Sequence, residues 1–264
     1  MSDTASDLVL AERRNAVGLL TINRPKYLNA LNVETLLAME RALTDFEVDP
    51  QVHVIVITGA GDKAFVAGGD IADLDSRQGL AHYQEFAEVI HRVFRRFEVC
   101  DKPTIGAING WALGGGTELL LTLDIRLVAE EAKLGVPEIT LGLFPGAGGS
   151  QRIIRQIPLC RAKEMMFTGD QITAAEAVRL GLANRTVPRA SLMDEVMLLA
   201  NRIAEKSPLT LKLLKRSMRN GADMPMSAAI AHEQAIIGLV LDSSDAHEGC
   251  RAFLEKRKPQ FTGR

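Results

Sequence analysis

The sequence predicts an α/β fold in its first part and a helical region after it. Short β-branched runs alternate with stretches of helical periodicity, capped helices then follow one another, and no Gly/Ser/Pro-rich linker separates the two parts. Such alternation is typical of parallel strands covered by helices. We therefore expect an α/β core over residues 1–190 and a helical region over residues 191–264, packed on the core or on another subunit.

The strands are predicted from short runs rich in β-branched residues. Leu8–Glu12 and Val17–Asn23 flank a polar turn at Arg14–Asn15, which indicates a hairpin. The other runs are His53–Thr58, Thr104–Asn109 and Asp124–Ala129. We interpret the lone His53 as a packing residue, because histidine is often at least partly buried.

The helices are predicted from apolar spacing and from capping residues. Residues 33–47 and 81–97 place apolar side chains three and four positions apart. Thr173-Ala-Ala-Glu176 is a capping box, and Ser191 and Ser207 are each expected to open a further helix. Residues 226–241 and 245–256 are expected to form the last two helices.

Composition and charge argue against several classes of function. The 264 residues include 31 Lys and Arg against 33 Asp and Glu, a formal net charge of −2, so we expect no nucleic-acid partner. No apolar run approaches the ~18 residues of a membrane span, and the acidic N-terminal segment lacks the apolar centre of a signal peptide. Cys100, Cys160 and Cys250 are odd in number and far apart, which fits reduced thiols. We expect a cytoplasmic protein that does not bind membranes.

Common catalytic fingerprints are absent from the sequence. Gly59-Ala-Gly61 lacks the later glycine of a dinucleotide site, and Arg152 stands where G-x-S-x-G would need its last glycine. The five histidines show no metal-binding spacing. Serine hydrolases, simple dehydrogenases and zinc enzymes are therefore disfavoured, and we expect no metal site.

Three glycine-rich segments remain as candidates for chemistry: Ala64–Ile71, Gly110–Glu118 and Leu134–Gly149. Glycine lets the backbone come close to a ligand, and backbone N–H groups at a helix N-terminus favour an anion. One N–H from Gly68-Gly69 and one from the glycines before Glu118 would form an oxyanion hole if they converge. Such a hole stabilises charge that develops on a carbonyl oxygen.

Two glutamates accompany these glycines. Glu118 follows the second glycine run after Thr117, and Glu138 follows Pro137 in an apolar loop. If both face the oxyanion hole, one would act as a base and the other, its pKa raised by burial, as an acid beside a stabilised enolate. The alternative is that Glu118 only stabilises a helix N-terminus and that Pro137-Glu138 is an ordinary turn.

Taken together, these segments resemble the crotonase superfamily, the enoyl-CoA hydratase/isomerase family. The resemblance also covers Ile22–Lys26 with Asn29–Leu31, Phe167–Gly169 and Glu248–Phe261, so it runs almost from end to end. It implies a crotonase-like spiral of β-β-α units with C-terminal helices that assemble a homotrimer or a homohexamer. It also implies an acyl-CoA substrate and no separate cofactor, because coenzyme A is part of the substrate thioester.

The resemblance assigns roles by motif position. The oxyanion-hole N–H groups would come from Gly69 and Gly115, and Glu118 and Glu138 match the two acids with which hydratases position and split a water molecule. The residues expected near the substrate and its coenzyme A portion are Lys26, Ala64, Ala67, Gly68, Asp70, Ile71, Trp111 and Gly114.

Two glutamates point to reversible syn addition of water to a 2-enoyl-CoA, since isomerases of this family typically lack one of them. Trp111 stands where a smaller residue is expected and Thr117 where Cys or an apolar residue is common, which leaves the acyl group open. Trp111 is either a core residue or part of an acyl pocket with residues 73–97 and Phe144. The alternatives are a hydratase or dehydratase of branched, aromatic, carnitine or thioether acyl-CoA, a Δ3-Δ2 isomerase, an RNA-binding member and a non-catalytic scaffold.

Overall fold

Two mostly parallel β-sheets form the framework of the protein. The computed structural model describes residues 8–264, and the part of the signal-peptide expectation that concerns residues 1–7 lies outside the described residues. The strands of the larger sheet are β1 Val9–Arg14, β2 Val17–Ile22, β3 Val54–Gly59, β5 Thr104–Ile108, β7 Ile125–Ala129 and β10 Arg185–Val187. Those of the smaller sheet are β4 Ala64–Val66, β6 Trp111–Leu113, β8 Lys133–Gly135 and β9 Ile172–Thr173.

Within each sheet, the strands lie side by side in the order in which they occur in the chain. All pairs are parallel except β1 with β2 and β8 with β9. The helices are α1 Val33–Val48, α2 Ile71–Asp75, α3 Glu88–Val99, α4 Gly115–Leu120, α5 Gly149–Gln156, α6 Leu159–Thr168, α7 Ala174–Arg179, α8 Arg189–Ala204, α9 Pro208–Gly221, α10 Met226–Leu241 and α11 Ser244–Leu254. Short 3-10 helices at Pro25–Tyr27 and Pro137–Leu141 and a π-helical segment at His82–Ala87 complete the elements.

A repeated unit connects the two sheets. In each of β3-β4-α2, β5-β6-α4 and β7-β8 with the 3-10 helix after it, the first strand joins the larger sheet and the second joins the smaller one. Because β4, β6 and β8 are parallel, the segments that follow them emerge at the same edge of the smaller sheet. This edge receives all three glycine-rich segments.

The core lies between the larger sheet and the helices packed on it. Every residue of β3 is buried, as expected for a parallel strand covered on both faces. Helix α1 contributes Leu36, Met39 and Leu43 to the core, and α8 contributes Leu192 and Val196. Helix α8 therefore belongs to the core, whereas α9 and α10 have no buried residue. The division of the chain at residue 190 stays a prediction.

Most elements expected from the sequence are confirmed. The hairpin turns at Asn15, which has the left-handed φ of 55° that asparagine tolerates. Asn32 caps α1 by accepting a hydrogen bond from the Thr35 N–H, and Ser207 caps α9 in the same way. In the capping box, the Thr173 hydroxyl accepts a hydrogen bond from the Glu176 N–H at 3.1 Å.

Three expectations need correction. The helix expected over residues 81–97 is interrupted, since His82–Ala87 is π-helical and α3 begins only at Glu88. Ser191 lies inside α8, which begins at Arg189 after Pro188, because proline supplies a fixed φ at the helix start without a side-chain cap. The strand expected from His53 begins only at Val54, so His53 precedes β3. Its Nδ1 lies 3.0 Å from the Ala204 carbonyl oxygen at the end of α8. Within residues 8–264 no helix has the length and apolar character needed to cross a membrane.

The side chain of Asn109 fastens the larger sheet to the smaller one. Its Nδ2 donates to the carbonyl oxygens of Gly59 and Gly61, each at 2.9 Å, and of Ala64 at 3.3 Å. Its Oδ1 accepts a hydrogen bond from the Gly59 N–H at 3.2 Å. The connection from β3 to β4 therefore depends on a buried side chain that comes from the end of β5.

We expect Asn109→Ala to lower the free energy of unfolding by about 2–3 kcal/mol, because several buried carbonyl groups lose their donor. Urea unfolding followed by circular dichroism measures this loss. Asn220→Ala, at an exposed position in α9, is the matched control and should change stability by no more than about 0.5 kcal/mol. Equal effects of the two substitutions would contradict the assigned role of Asn109.

Candidate active site

The carboxylate of Glu118 lies at the centre of the edge where the three segments meet. Glu118 is in the first turn of α4 and is only 3% exposed. Its Oε1 accepts hydrogen bonds from the Ala147 N–H at 2.7 Å and from the Gly149 N–H at 2.8 Å. Burial and the nearby Glu138 raise the pKa of Glu118 to about 7, although the two N–H donors act against this shift. A carboxyl group with this pKa can both accept and release a proton near neutral pH.

Glu138 approaches the same place from the 3-10 helix that follows β8. Burial raises the pKa of its carboxyl group above the ordinary value. Its Oε2 is buried without a hydrogen-bond partner among the residues that the structure describes. Gly114 keeps the opposite wall open, since a Cβ there would lie 3.0 Å from the Glu138 Oε1. Glycine at position 114 therefore leaves room for the Glu138 carboxyl group, which lines the same cavity as Glu118.

Two backbone N–H groups lie close to this pair of acids. Gly115 is the first residue of α4, so its N–H has no acceptor within the helix. A Cβ on Gly115 would lie 3.6 Å from the Gly69 nitrogen, so the two backbone segments are in near contact. The carbonyl of Gly68 accepts from the Leu31 N–H at 2.8 Å, and the Asp70 N–H donates to the Leu31 carbonyl at 2.9 Å. These bonds fix the backbone on both sides of Gly69 and leave its own N–H without an assigned acceptor in the part of the chain described.

A cavity of about 530 Å³ connects these groups. Its ionisable side chains are those of Glu118, Glu138 and His82, and most of the remaining wall is apolar. The residues that line it are Gly69, Leu74, His82, Phe86, Ala87, Ile90, Gly115, Glu118, Glu138, Leu143, Phe144, Gly146 and Ala147. The cavity thus offers an apolar compartment beside two acids and two backbone N–H groups.

The other expected substrate contacts lie along the β4 side of the site. Lys26 is exposed in the first 3-10 helix, and Ile71 is 53% exposed at the start of α2. Ala64 is buried in β4 and next to Trp111 of β6 in the sheet register. Asp70 caps α2 and forms an ion pair with Arg24 at 2.9 Å, so its carboxylate is already used within the protein.

The core interpretation of Trp111 is wrong. Its side chain is 42% exposed, and it is not among the residues that line the cavity. The physical reason is that β6 has only three residues, of which Ala112 faces inward and Trp111 lies at the exposed start.

Phe144 and part of the 73–97 segment do line the cavity, as expected. Ala67 is half-buried, and Gly68 and Gly114 both have positive φ values that favour glycine.

The sequence did not reveal the groups that hold Glu118. The N–H donors come from Ala147 and Gly149, and the Arg152 guanidinium donates to the Ala147 carbonyl oxygen at 3.0 Å. Arg152 was notable in the sequence only because it excludes a serine-hydrolase motif. The cluster of glycines before it was the available signal for a tight loop. No spacing rule could show that the loop closes on a glutamate about thirty residues earlier.

In the described part of the chain, no three His, Cys, Asp or Glu side chains are grouped as a metal site would require. Acid–base chemistry is available from the two carboxyl groups, and charge stabilisation is available from the two N–H groups. Together with the repeated two-sheet unit, this arrangement defines an enzyme of the crotonase fold.

Comparison with known proteins supports this class. The family model for enoyl-CoA hydratase/isomerase proteins matches residues 12–264. The chain is 42% identical to a crotonyl-CoA hydratase of Syntrophomonas wolfei, covering 97% of this chain and 98% of the relative. It is 40% identical to a short-chain-enoyl-CoA hydratase of Clostridium acetobutylicum, covering 95% of each. A crystal structure of an enoyl-CoA hydratase from Bacillus anthracis superposes with a TM-score of 0.94 at 35% identity, over 97% of this chain and all of that one.

The chain belongs to the enoyl-CoA hydratase/isomerase family. The family and the crotonase-like fold expected from the sequence are thereby confirmed.

Glu118→Gln is expected to raise the free energy of unfolding at about pH 8 by on the order of 1–3 kcal/mol. The folded-state pKa of about 7 exceeds the ordinary value of 4.5, so the folded protein binds more protons and loses stability as the pH rises through this window. Glutamine carries no charge, and its amide oxygen still accepts both N–H bonds.

Urea unfolding at about pH 5 and about pH 8 tests this linkage. The gain should be larger at the higher pH, where the wild-type glutamate is ionised. Glu88→Gln, at an exposed position in α3, should show no such pH-dependent gain. A gain for Glu118→Gln that is the same at both pH values would contradict the raised pKa.

Proposed function

We propose that this enzyme adds water reversibly to a short 2-enoyl-CoA and forms the 3-hydroxyacyl-CoA, using Glu118 and Glu138 as its acid–base pair. The observation that carries the proposal is the presence of both carboxyl groups at the end of one apolar cavity, next to the N–H groups of Gly69 and Gly115. The two relatives described above are named as hydratases of crotonyl-CoA and of short-chain enoyl-CoA, which supports the same reaction and a short acyl group.

In the proposed reaction the thioester oxygen accepts hydrogen bonds from the N–H groups of Gly69 and Gly115. A water molecule held between the glutamates attacks Cβ and gives its proton to Glu118, while the π electrons move toward the thioester oxygen to form an enolate. Glu138 then protonates Cα, and transfer of a proton from Glu118 to Glu138 restores the pair. Both additions come from the side of the two acids, so the water adds syn.

The active form of the pair carries one proton. The Ala147 and Gly149 N–H groups favour an ionised Glu118, but burial and the nearby Glu138 outweigh them and raise the pKa of Glu118 to about 7, while burial also raises the pKa of Glu138. Because the two groups interact, their ionisations belong to the pair and not to either residue alone. The oxyanion hole contributes the second large effect, since each N–H donor is worth roughly 2.7–4 kcal/mol in the transition state.

The coenzyme A portion is proposed to extend from the cavity along the β4 side of the site. In this proposal Ala67, Gly68, Gly114 and the exposed Ile71 contact it, and the exposed Lys26 offers a positive charge to its phosphates. Asp70 contributes through the position that it gives to its neighbours, because its carboxylate is paired with Arg24. No separate cofactor is required for this chemistry.

The first test follows the loss of the enoyl-thioester absorbance with crotonyl-CoA. Wild type should consume the substrate rapidly, and Glu118→Gln and Glu138→Gln should each reduce kcat by roughly 10²–10⁴-fold, because each removes a proton carrier from the transition state. Glu88→Gln serves as the matched exposed control and should retain wild-type activity.

Other outcomes identify other members of the family. Double-bond migration that outpaces hydration would replace the hydratase proposal with an isomerase. Binding of a CoA thioester without loss of crotonyl-CoA would require another acyl group or another reaction. A salt-dependent shift with labelled RNA would favour a nucleic-acid partner instead.

We also propose that the chain forms a homotrimer or a homohexamer through its C-terminal helices. Helix α10 is rich in apolar residues but has none that is buried, which is unusual for a helix that meets only water. Its exposed large side chains are Met226, Ile230, Ile237, Leu239 and Leu241. Another subunit is the occupant that this face and the sequence resemblance both indicate.

Light scattering after size-exclusion chromatography should give a mass three or six times the chain mass of 28.7 kDa. Leu239→Glu should shift the protein toward smaller species, because it puts a charge into the proposed contact. Val48→Glu, at an equally exposed apolar position on α1, should leave the mass unchanged. A wild-type monomer would overturn the proposal.

A further inference from the structure

We propose that Arg152 is a positioning residue for Glu118 and that Glu98 holds Arg152 in place. The inference rests on the proposed function, because it concerns how the enzyme keeps one of its two acids in working position. Neither Arg152 nor Glu98 lines the cavity, and both act through the loop that precedes α5.

Arg152 holds the loop that presents two N–H donors to Glu118. The N–H groups of Ala147 and Gly149 both donate to the Glu118 Oε1. The Arg152 Nη1 donates to the Ala147 carbonyl oxygen at 3.0 Å, and the Arg152 N–H donates to the Gly148 carbonyl at 2.9 Å. One residue therefore holds the loop that presents two donors to one carboxylate oxygen.

The glycines of the loop show how closely these parts fit. A Cβ on Gly148 would lie 2.1 Å from the Arg152 Nη1, and Gly148 has a φ of 93° that favours glycine. A Cβ on Gly149 would lie 2.6 Å from the Glu118 Oε1. Arg152 thus lies on one side of the loop and Glu118 on the other, with no room for a side chain at either glycine.

Glu98 holds the guanidinium through two bonds. The Arg152 Nε donates to its Oε1 at 3.0 Å, and the Arg152 Nη2 donates to its Oε2 at 3.1 Å. The Arg152 side chain is only 15% exposed, and a bidentate pair of this kind fixes orientation as well as charge. Although burial acts to raise it, the bonds from Arg152 hold the pKa of Glu98 below its ordinary value. Glu98 therefore remains ionised at the pH at which the enzyme would work.

The pair also joins two walls of the site. Glu98 lies in the last turn of α3, and Ile90 near the other end of that helix lines the cavity. The Glu98–Arg152 pair connects this helix to the loop that holds Glu118. Through this pair, a movement of α3 at the cavity wall is coupled to the hydrogen bonds that Glu118 accepts.

The charge of Arg152 favours an ionised Glu118, as do the two N–H donors that Arg152 positions. The positive charge of Arg152 lowers the pKa of Glu118 against the larger, raising effects of burial and of Glu138. The titratable and charged groups around Glu118 and its support, over all the elements packed there, are Glu138, Arg152, Glu98, Arg95 and His82. Among these, Arg152 is the positive charge that acts directly on Glu118.

Removal of Arg152 should therefore change the pH dependence as well as the rate. In Arg152→Met, the acid limb of the kcat/KM profile for crotonyl-CoA should move to higher pH by roughly 0.5–1 pH unit, since a protonated Glu118 cannot accept a proton from water. The kcat should fall roughly 10–100-fold, because the two N–H donors lose their alignment. Arg152→Lys keeps the charge, so its acid limb should stay near that of wild type while its kcat remains reduced.

Arg92→Met is the matched control for loss of an ion pair. Arg92 lies on the same helix as Glu98 and makes an equally bidentate pair with Glu40 of α1, outside the cavity. Its loss should leave the acid limb where it is in wild type. Circular dichroism and thermal unfolding establish that each variant is folded before its profile is measured.

The ionisation of Glu118 can also be followed without turnover. The carboxyl band in pH-difference infrared spectra that disappears in Glu118→Gln reports its titration in the free enzyme. An upward shift of this titration in Arg152→Met supports the proposal even if crotonyl-CoA is not hydrated, in which case only the proposed function fails. An unchanged titration and acid limb in Arg152→Met, or the same shift in Arg92→Met, would overturn the positioning role.

Discussion

The parallel arrangement of three short strands in the smaller sheet is the constraint on which the site depends. Each of β4, β6 and β8 has three residues, and each lies at the start of one of the glycine-rich segments. Because parallel strands end at the same edge, residues about 20 to 70 positions apart in the chain meet there. Strands this short form few hydrogen bonds of their own. At β4, the buried side chains of Asn109 and Asn29 supply additional bonds by donating to the Ala64 carbonyl oxygen.

The site places two carboxyl groups in an apolar cavity, which is unfavourable for stability. Burial and mutual repulsion disfavour the ionised state of both groups, so one proton is retained where two isolated glutamates would have lost theirs. The protein limits this effect at Glu118 with two backbone N–H groups and the charge of the half-buried Arg152. Glu138 receives no such support at its Oε2. The two carboxyl groups therefore differ in hydrogen-bond support, although both have a raised pKa.

Local patterns in the sequence were sufficient for the elements that depend on local physics. The β1–β2 hairpin follows from two β-rich runs around Asn15, and α1 follows from apolar spacing after a capping asparagine. The same reasoning failed where longer-range packing decides. The π-helical segment at His82–Ala87 interrupts a regular apolar pattern at the cavity wall, and Trp111 is exposed despite its apolar neighbours. Strands of two or three residues are too short to show a period of their own.

The sequence by itself was sufficient to predict the family, the larger sheet's main strands and Glu118 and Glu138 as the candidate acids, because these predictions depend on residue types in a fixed order along the chain. Through the family resemblance it also pointed to Gly69 and Gly115 by motif position, within glycine runs whose bare backbone can approach a ligand. Only the tertiary structure decided that the Ala147–Gly149 loop closes on Glu118, that Asp70 is engaged by Arg24, and that Arg152 and Glu98 lie behind the acid. The physical reason is that hydrogen bonds and burial act through space. Partners separated by tens of residues leave no periodicity in the chain from which their contact could be predicted.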